Sequence, residues 1–174
     1  VFHWFKEISN IPRESGNEKE ISNFLVDFAK KRNLEYWQDD FLNVYIKKEA
    51  SKGFENYPEV LLQGHMDMVC VKENGSDHDF SKDPIELVID GEWLRANKTT
   101  LGADDGIAVA YALAILDDEK ISHGPISVLI TTGEETSMVG VNNLDTKKLN
   151  DPKYLLNIDS EEEGILTIGC AGGM

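Results

Sequence analysis

Four places in this sequence carry side chains that could hold a metal ion or move a proton. The first is Val60–Asp67, VLLQGHMD, where His65 and Asp67 stand two positions apart behind a short apolar run. On extended backbone, side chains at that spacing project to the same side. An imidazole there can ligate a metal while the carboxylate accepts its second ring N–H, which fixes the tautomer and makes the ligating nitrogen more basic. The same two residues could equally cap a strand end. The second place is Thr99–Gly106, TTLGADDG, with Asp104 and Asp105 at the start of a helical pattern. One Asp suits a helix N-terminus, and its neighbour is left to be explained. The third is Gly133-Glu134-Glu135, directly after the run Ile126–Thr132, and the fourth is Asp159, directly after Tyr154–Ile158.

Three apolar runs therefore finish in a ligand-type residue. Open α/β sheets place their sites outside the carboxyl ends of the strands. If the three strands are parallel neighbours, His65, Glu134, Glu135 and Asp159 converge with Asp104. One His among several carboxylates suits zinc or a similar divalent ion, and this much negative charge is better neutralised by two ions than by one.

The whole chain bounds that reading. Its 174 residues are enough for one domain with a real core, and 41% hydrophobic content fits a globular protein. Seventeen basic against thirty-two acidic residues give a formal charge of −15, which argues against a nucleic-acid surface with its basic stripe. No run approaches a membrane span, and no signal-peptide pattern opens the chain. Cys70 and Cys170 are too few and too far apart for a disulfide framework, so a reducing cytoplasm is expected and each reads as a small buried residue. The chain begins with Val and ends in AGGM, which reads as a piece of a longer protein.

The elements that must position the site follow from periodicity. Val1, Phe2, Phe5 and Ile8 share a helical face, and Pro12 closes that element. Asn17 with Glu20 resembles a capping box ahead of Ile21, Phe24, Leu25, Phe28 and Ala29, predicting a second helix to about Asn33. Leu34–Gln38 and Asn43–Lys47 read as a strand pair, and Asp90-Gly91 as a hairpin turn between Ile85–Ile89 and Glu92–Arg95. Val60–Leu62 predicts a strand buried on both faces, with Gly64 freeing the backbone beyond it. The Asp pair leads into a helix carrying Ile107, Tyr111, Ala114 and Ile115. Tyr154–Ile158 predicts a further buried strand and Ile165–Ile168 one more. Asp77-His78-Asp79 looks ligand-like but has no strand end behind it. His123, ahead of its strand, reads as structural.

At these residues the sequence resembles the dinuclear-zinc exopeptidases, most closely the Xaa-His dipeptidases (aminoacyl-histidine dipeptidases, carnosinase-like). The matching stretches are IPRESGNE, LLQGHMDMVC, HDFSKDPI, TTLGADDGIAVA, TTGEE, NIDSEEEG and IGCAGG, in order and spanning nearly the whole chain. The resemblance implies an α/β fold of the three-layer, phosphorylase/hydrolase-like kind, a mixed sheet flanked by helices that is incomplete here. Residues 1–174 would be the N-terminal part of the catalytic domain, without the lid or dimerisation domain and the rest of the catalytic domain. It implies two Zn ions, or Mn or Co, bound by His65, Asp104, Glu135 and Asp159. Asp104 would bridge the ions through a turn containing a cis Asp104–Asp105 peptide, and one His ligand would be missing from this chain. Glu134 would be the general base and Asp67 the group orienting His65. The expected reaction is hydrolysis of small dipeptides of the Xaa-His type by the full-length protein, a homodimer acting on no nucleic acid or membrane, with the isolated chain inactive. A tripeptidase, aminoacylase or carboxypeptidase of the same clan would share the metal residues, and a non-catalytic divalent-cation-binding module is the reading from another class.

Overall fold

The three runs expected to end in site residues are neighbours in one sheet. The computed structural model describes residues 1–160 and 164–169, so Cys170 and the end of IGCAGG lie outside the described residues. The elements are α1 (Phe2–Ser9), α2 (Lys19–Lys31), β1 (Glu35–Gln38), β2 (Val44–Lys48), β3 (Val60–His65), β4 (Leu87–Asp90), β5 (Trp93–Ala96), α3 (Ala103–Asp117), β6 (Ile126–Thr131), α4 (Val139–Asn142) and β7 (Tyr154–Asn157). A single 3-10 turn covers Thr146–Lys148. The main sheet runs β1-β2-β6-β3-β7, and β4 and β5 form a separate hairpin.

Within that sheet β3 pairs in parallel with both β6 and β7, whereas β1, β2 and β6 are joined by antiparallel pairing. The register sets the level of each strand exit. His65 lies opposite Thr131, and Gln63 lies opposite Asn157. Two residues beyond that last pair, Asp159 therefore comes level with His65. Glu134 and Glu135 follow Thr131 after the shortest of connections.

Alternation along the strands divides the core. Val44, Ile46, Leu62, Val128 and Ile130 face α1, α2 and α3. Tyr45, Leu61 and Leu129 face the other way, against Trp37, Leu144 and Leu149. This two-sided burial is why β3 and β6 read as continuous apolar runs. The expected mixed sheet is present, with its three long helices on one face.

Several local expectations are corrected by packing. In α1, Phe5 and Ile8 are buried but Phe2 is 76% exposed. The Asn17/Glu20 capping box does not form, because Glu18 occupies the N-cap position with no side-chain cap. The stripe Ile107, Tyr111, Ala114 and Ile115 is the less buried side of α3. Ala108, Val109, Ala112, Leu113 and Leu116 are among its buried residues, small enough in part to let the helix lie close between α1 and β3. Val139–Asn142 forms a short helix beyond the glutamate turn. β7 is an edge strand with all four residues exposed, and Ile165–Ile168 forms no strand.

Gly64 also has a different purpose from the one its sequence suggests. Its backbone is not in the left-handed region. A Cβ there would run into the Asp105 carboxylate and approach Ala108 Cβ to 2.7 Å. Glycine is needed for room, where the start of α3 crosses β3. Gly64→Ala is expected to destabilise the chain by about 1–3 kcal/mol through overpacking. An unchanged urea midpoint would mean that α3 shifts without cost.

Candidate metal centre

His65 ends β3, and the backbone immediately beyond it ties the ring down. Its side chain is only 1% exposed, and that of Asp67 is fully buried. Nδ1 lies 3.0 Å from the Asp67 carbonyl oxygen and 3.3 Å from its Oδ1. Nε2 is 3.2 Å from Asp104 Oδ1 and 3.9 Å from both Glu134 Oε2 and Asp159 Oδ2. One ring nitrogen is thus held by Asp67 and the other faces carboxylates. Burial drives the imidazole toward its neutral form, but the hydrogen bond and charge of Asp67, with Asp105 and Asp159 nearby, outweigh it and push its pKa up to about 9.

Asp67 is the most heavily bonded acid of the group. Ser15 Oγ donates to its Oδ2 at 2.7 Å, and the backbone N–H groups of Glu134 and Glu135 donate to Oδ1 and Oδ2 at 3.1 and 3.2 Å. Burial alone would raise its pKa, yet the bonds from His65, Ser15 and the Glu134 amide hold it down at about 2. The carboxylate therefore stays ionised and keeps its acceptors available.

The Asp pair divides its work. The peptide between Asp104 and Asp105 is cis, and the two residues have non-helical backbone angles within the first turn of α3. Neither caps the helix, whose N-cap is Gly102. The Asp104 side chain is 72% exposed beside His65. Asp105 is buried, and its Oδ2 accepts the backbone N–H of His65 at 3.1 Å. Burial pushes its pKa up to about 7, against the opposing pull of the His65 amide. The second carboxylate is a brace between α3 and the end of β3.

Glu134 and Glu135 sit in a turn and not on the extended backbone that their place after β6 suggests. Gly133 takes φ of 62°, which favours glycine, and its carbonyl accepts the N–H groups of Ser137 and Met138 at 3.1 and 2.7 Å. The turn puts the two carboxylates into different donor sets. His65, Asp104 and Glu135 form one set whose donor atoms lie within 4.8 Å of one another, and His65, Glu134 and Asp159 form a second. Burial, then the neighbouring charge of Asp104, pushes the pKa of Glu135 up. All six of the residues expected at the site are brought together. One imidazole nitrogen amid hard carboxylate oxygens is a donor set that suits zinc, manganese or cobalt.

Other candidates stand apart. Asp77, His78 and Asp79 line a cavity of about 450 Å³ with Glu14, Lys72 and Phe80, and join neither donor set. His123 sits before the start of β6, the end opposite the site, with Nδ1 2.7 Å from the Gly124 carbonyl, in keeping with a structural role. Cys70 is half-buried and unpaired, and burial pushes its thiol up to about 11. Sequence reasoning missed Arg13, Ser15 and Glu18 as individual residues, although all three lie within the IPRESGNE stretch. Arg13 is buried, and it donates from Nη1 to the Met66 carbonyl at 3.1 Å and from Nη2 to the Gly102 carbonyl at 2.5 Å, tying the β3 exit to the loop before α3. Burial pulls its pKa down to about 10. No periodicity marks such residues; the only sequence signal was charged side chains clustered inside a motif.

Comparison with known proteins agrees with this geometry. Residues 61–172 match the description of Peptidase family M20/M25/M40. The chain belongs to that family. Among its M20 relatives, the cytosol non-specific dipeptidase of Escherichia coli strain K12 is 46% identical over 170 residues, covering 98% of this chain and 35% of that protein. The crystal structure of aminoacylhistidine dipeptidase from Vibrio alginolyticus superposes with a TM-score of 0.90 at 45% identity, over 94% of this chain and 33% of that one. Aminopeptidase PepT of Bacillus cereus ATCC 10987 gives 0.74 at 26% identity, over 92% and 43%. The chain thus spans about a third of the length of its two more similar M20 relatives. Among the described residues, no helix is long and apolar enough to cross a membrane.

Proposed function

We propose that this chain carries the metal-binding and general-base residues of a dinuclear-metal dipeptidase. The observation that supports it most is the gathering of two donor sets around the single buried imidazole of His65, at the exits of β3, β6 and β7 and the start of α3. The family resemblance divides these donors differently from the two sets: His65, Asp104 and Asp159 would hold one ion, and Asp104 and Glu135 would help to hold the other. Two divalent ions in such a site lower the pKa of a water and polarise a peptide carbonyl.

The chain's own residues supply the rest. Asp67 fixes the tautomer and orientation of His65. Glu134, whose side chain is 31% exposed, takes a proton from the attacking water as its oxygen bonds to the carbonyl carbon. It then returns that proton to the leaving amine nitrogen as the C–N bond breaks. Asp104 and Glu135 are fewer than the three protein ligands usual for catalytic zinc, so a further donor from the longer protein is proposed. We assign residues 1–174 to the N-terminal part of its catalytic domain, and propose that the longer protein is a cytoplasmic homodimer. Its substrates are dipeptides, with Xaa-His among them.

The test is metal analysis of the longer protein together with a panel of dipeptides, tripeptides and acylated amino acids, with zinc or manganese added. Hydrolysis confined to dipeptides, carnosine-type ones included, is expected. Cleavage of tripeptides or acylated amino acids in preference would move the assignment elsewhere in the family. Tight metal binding without hydrolysis of any of them would leave only a binding module.

A further inference from the structure

Four consecutive backbone N–H groups entering the Glu134–Glu135 turn are each accepted by a side-chain oxygen from another part of the chain. Thr132 N–H donates to Asn43 Oδ1 at 3.2 Å, and Gly133 N–H to Glu18 Oε1 at 3.1 Å. Glu134 and Glu135 then donate to the two oxygens of Asp67. The three acceptors come from just before β2, just before α2 and just after β3, and all are buried. Backbone N–H groups in the interior must find partners. Here those partners are side chains, so the path of the turn is dictated from outside it.

Glu18 is the least expected of the three. It stands where a helix cap belongs, yet caps nothing. Burying a carboxylate is costly unless it is well bonded, and this one spends its bond on the amide immediately before Glu134. Asn43 holds the residue before that, and its Nδ2 also donates to the Gly140 carbonyl at 2.9 Å, on the far side of the turn.

We propose that Glu18 is a positioning residue for Glu134 and Glu135, acting through the Gly133 amide, with Asn43 fixing the preceding amide. This rests on the metal-site reading above. Glu18 belongs to neither donor set; through the Gly133 amide it fixes the height at which the two glutamates leave β6. The chemistry needed is an acceptor oxygen at full glutamate length. Gln supplies that oxygen without the charge, and Asp keeps the charge but withdraws the oxygen by one methylene.

The experiment compares Glu18→Asp and Glu18→Gln in the longer protein by zinc titration, thermal midpoint of the zinc-free protein and amide exchange at residues 133–135. Glu18→Asp is expected to bind zinc about 10–100-fold more weakly, as for groups that orient a ligand. Its thermal midpoint should stay near that of the parent chain, while Gly133 exchange becomes faster. Glu18→Gln should restore most of both. The proposal is overturned if Glu18→Asp binds zinc and protects Gly133 as the parent does, or if Gln loses as much as Asp. It is also overturned if the thermal midpoint falls in step with zinc affinity, which would make the role purely structural. Should the longer parent protein take up no zinc, the metal reading fails instead, and the exchange comparison decides the positioning role by itself.

Discussion

Glu134→Gln in the longer protein is expected to keep its metal and lose turnover by about 10²–10⁴-fold, the range for removing general acid–base catalysis. The amide is nearly the same size, so the turn and its backbone bonds to Asp67 should persist. What disappears is a basic oxygen beside His65, where Glu134 Oε2 lies 3.9 Å from Nε2. The counterpart Glu135→Gln should lose metal, because Glu135 shares a donor set with His65 and Asp104. Glu134 also lies in a donor set, with His65 and Asp159, so the two glutamates are distinguished by experiment and not by proximity alone. Metal content that falls in Glu134→Gln and survives in Glu135→Gln would exchange their roles.

Asp67→Ala is expected to cost about 3–5 kcal/mol of stability, the range for removing one partner of a buried ion pair. That is a large share of the roughly 5–15 kcal/mol by which an ordinary domain is stable. The reason lies in the donors left behind. His65 Nδ1, Ser15 Oγ and the amides of Glu134 and Glu135 all use this one carboxylate. Its removal leaves the Ser15 hydroxyl and two part-buried amides without this acceptor and His65 Nδ1 with only the backbone carbonyl of residue 67, and it frees the turn that carries both glutamates. Urea unfolding of chelator-treated parent and variant measures the difference. A loss below about 1 kcal/mol, the net value of a single ordinary hydrogen bond, would mean that water replaces the carboxylate.

The donors themselves could be read from the sequence, because ligand chemistry is a property of residue types and strand exits are marked locally. The apolar runs ending at His65, Glu134 and Asp159, the periodic face of α2 and the Asp90-Gly91 turn are all short-range patterns. The cis Asp104–Asp105 peptide was implied by family resemblance alone. Which face of α3 is buried is not legible in the sequence, since an almost wholly apolar helix has no period to reveal its inner side. β7 was expected to be buried, because an apolar run shows only that a strand is not polar; its place at the sheet edge depends on which strands pair.

The sequence by itself determined the kind of chemistry: one imidazole and a group of carboxylates, each at the end of a strand or the start of a helix. Only the tertiary structure decided that β3, β6 and β7 are parallel neighbours in a register that brings His65 and Asp159 level. It also decided that Arg13, Ser15, Glu18 and Asn43 are committed to backbone and side-chain groups around the site. The physical reason is that a buried N–H or C=O takes whatever partner the fold brings within reach. In these bonds the partners of the four residues lie 52 to 115 positions away in the chain, and no pattern of local spacing encodes a contact of that span.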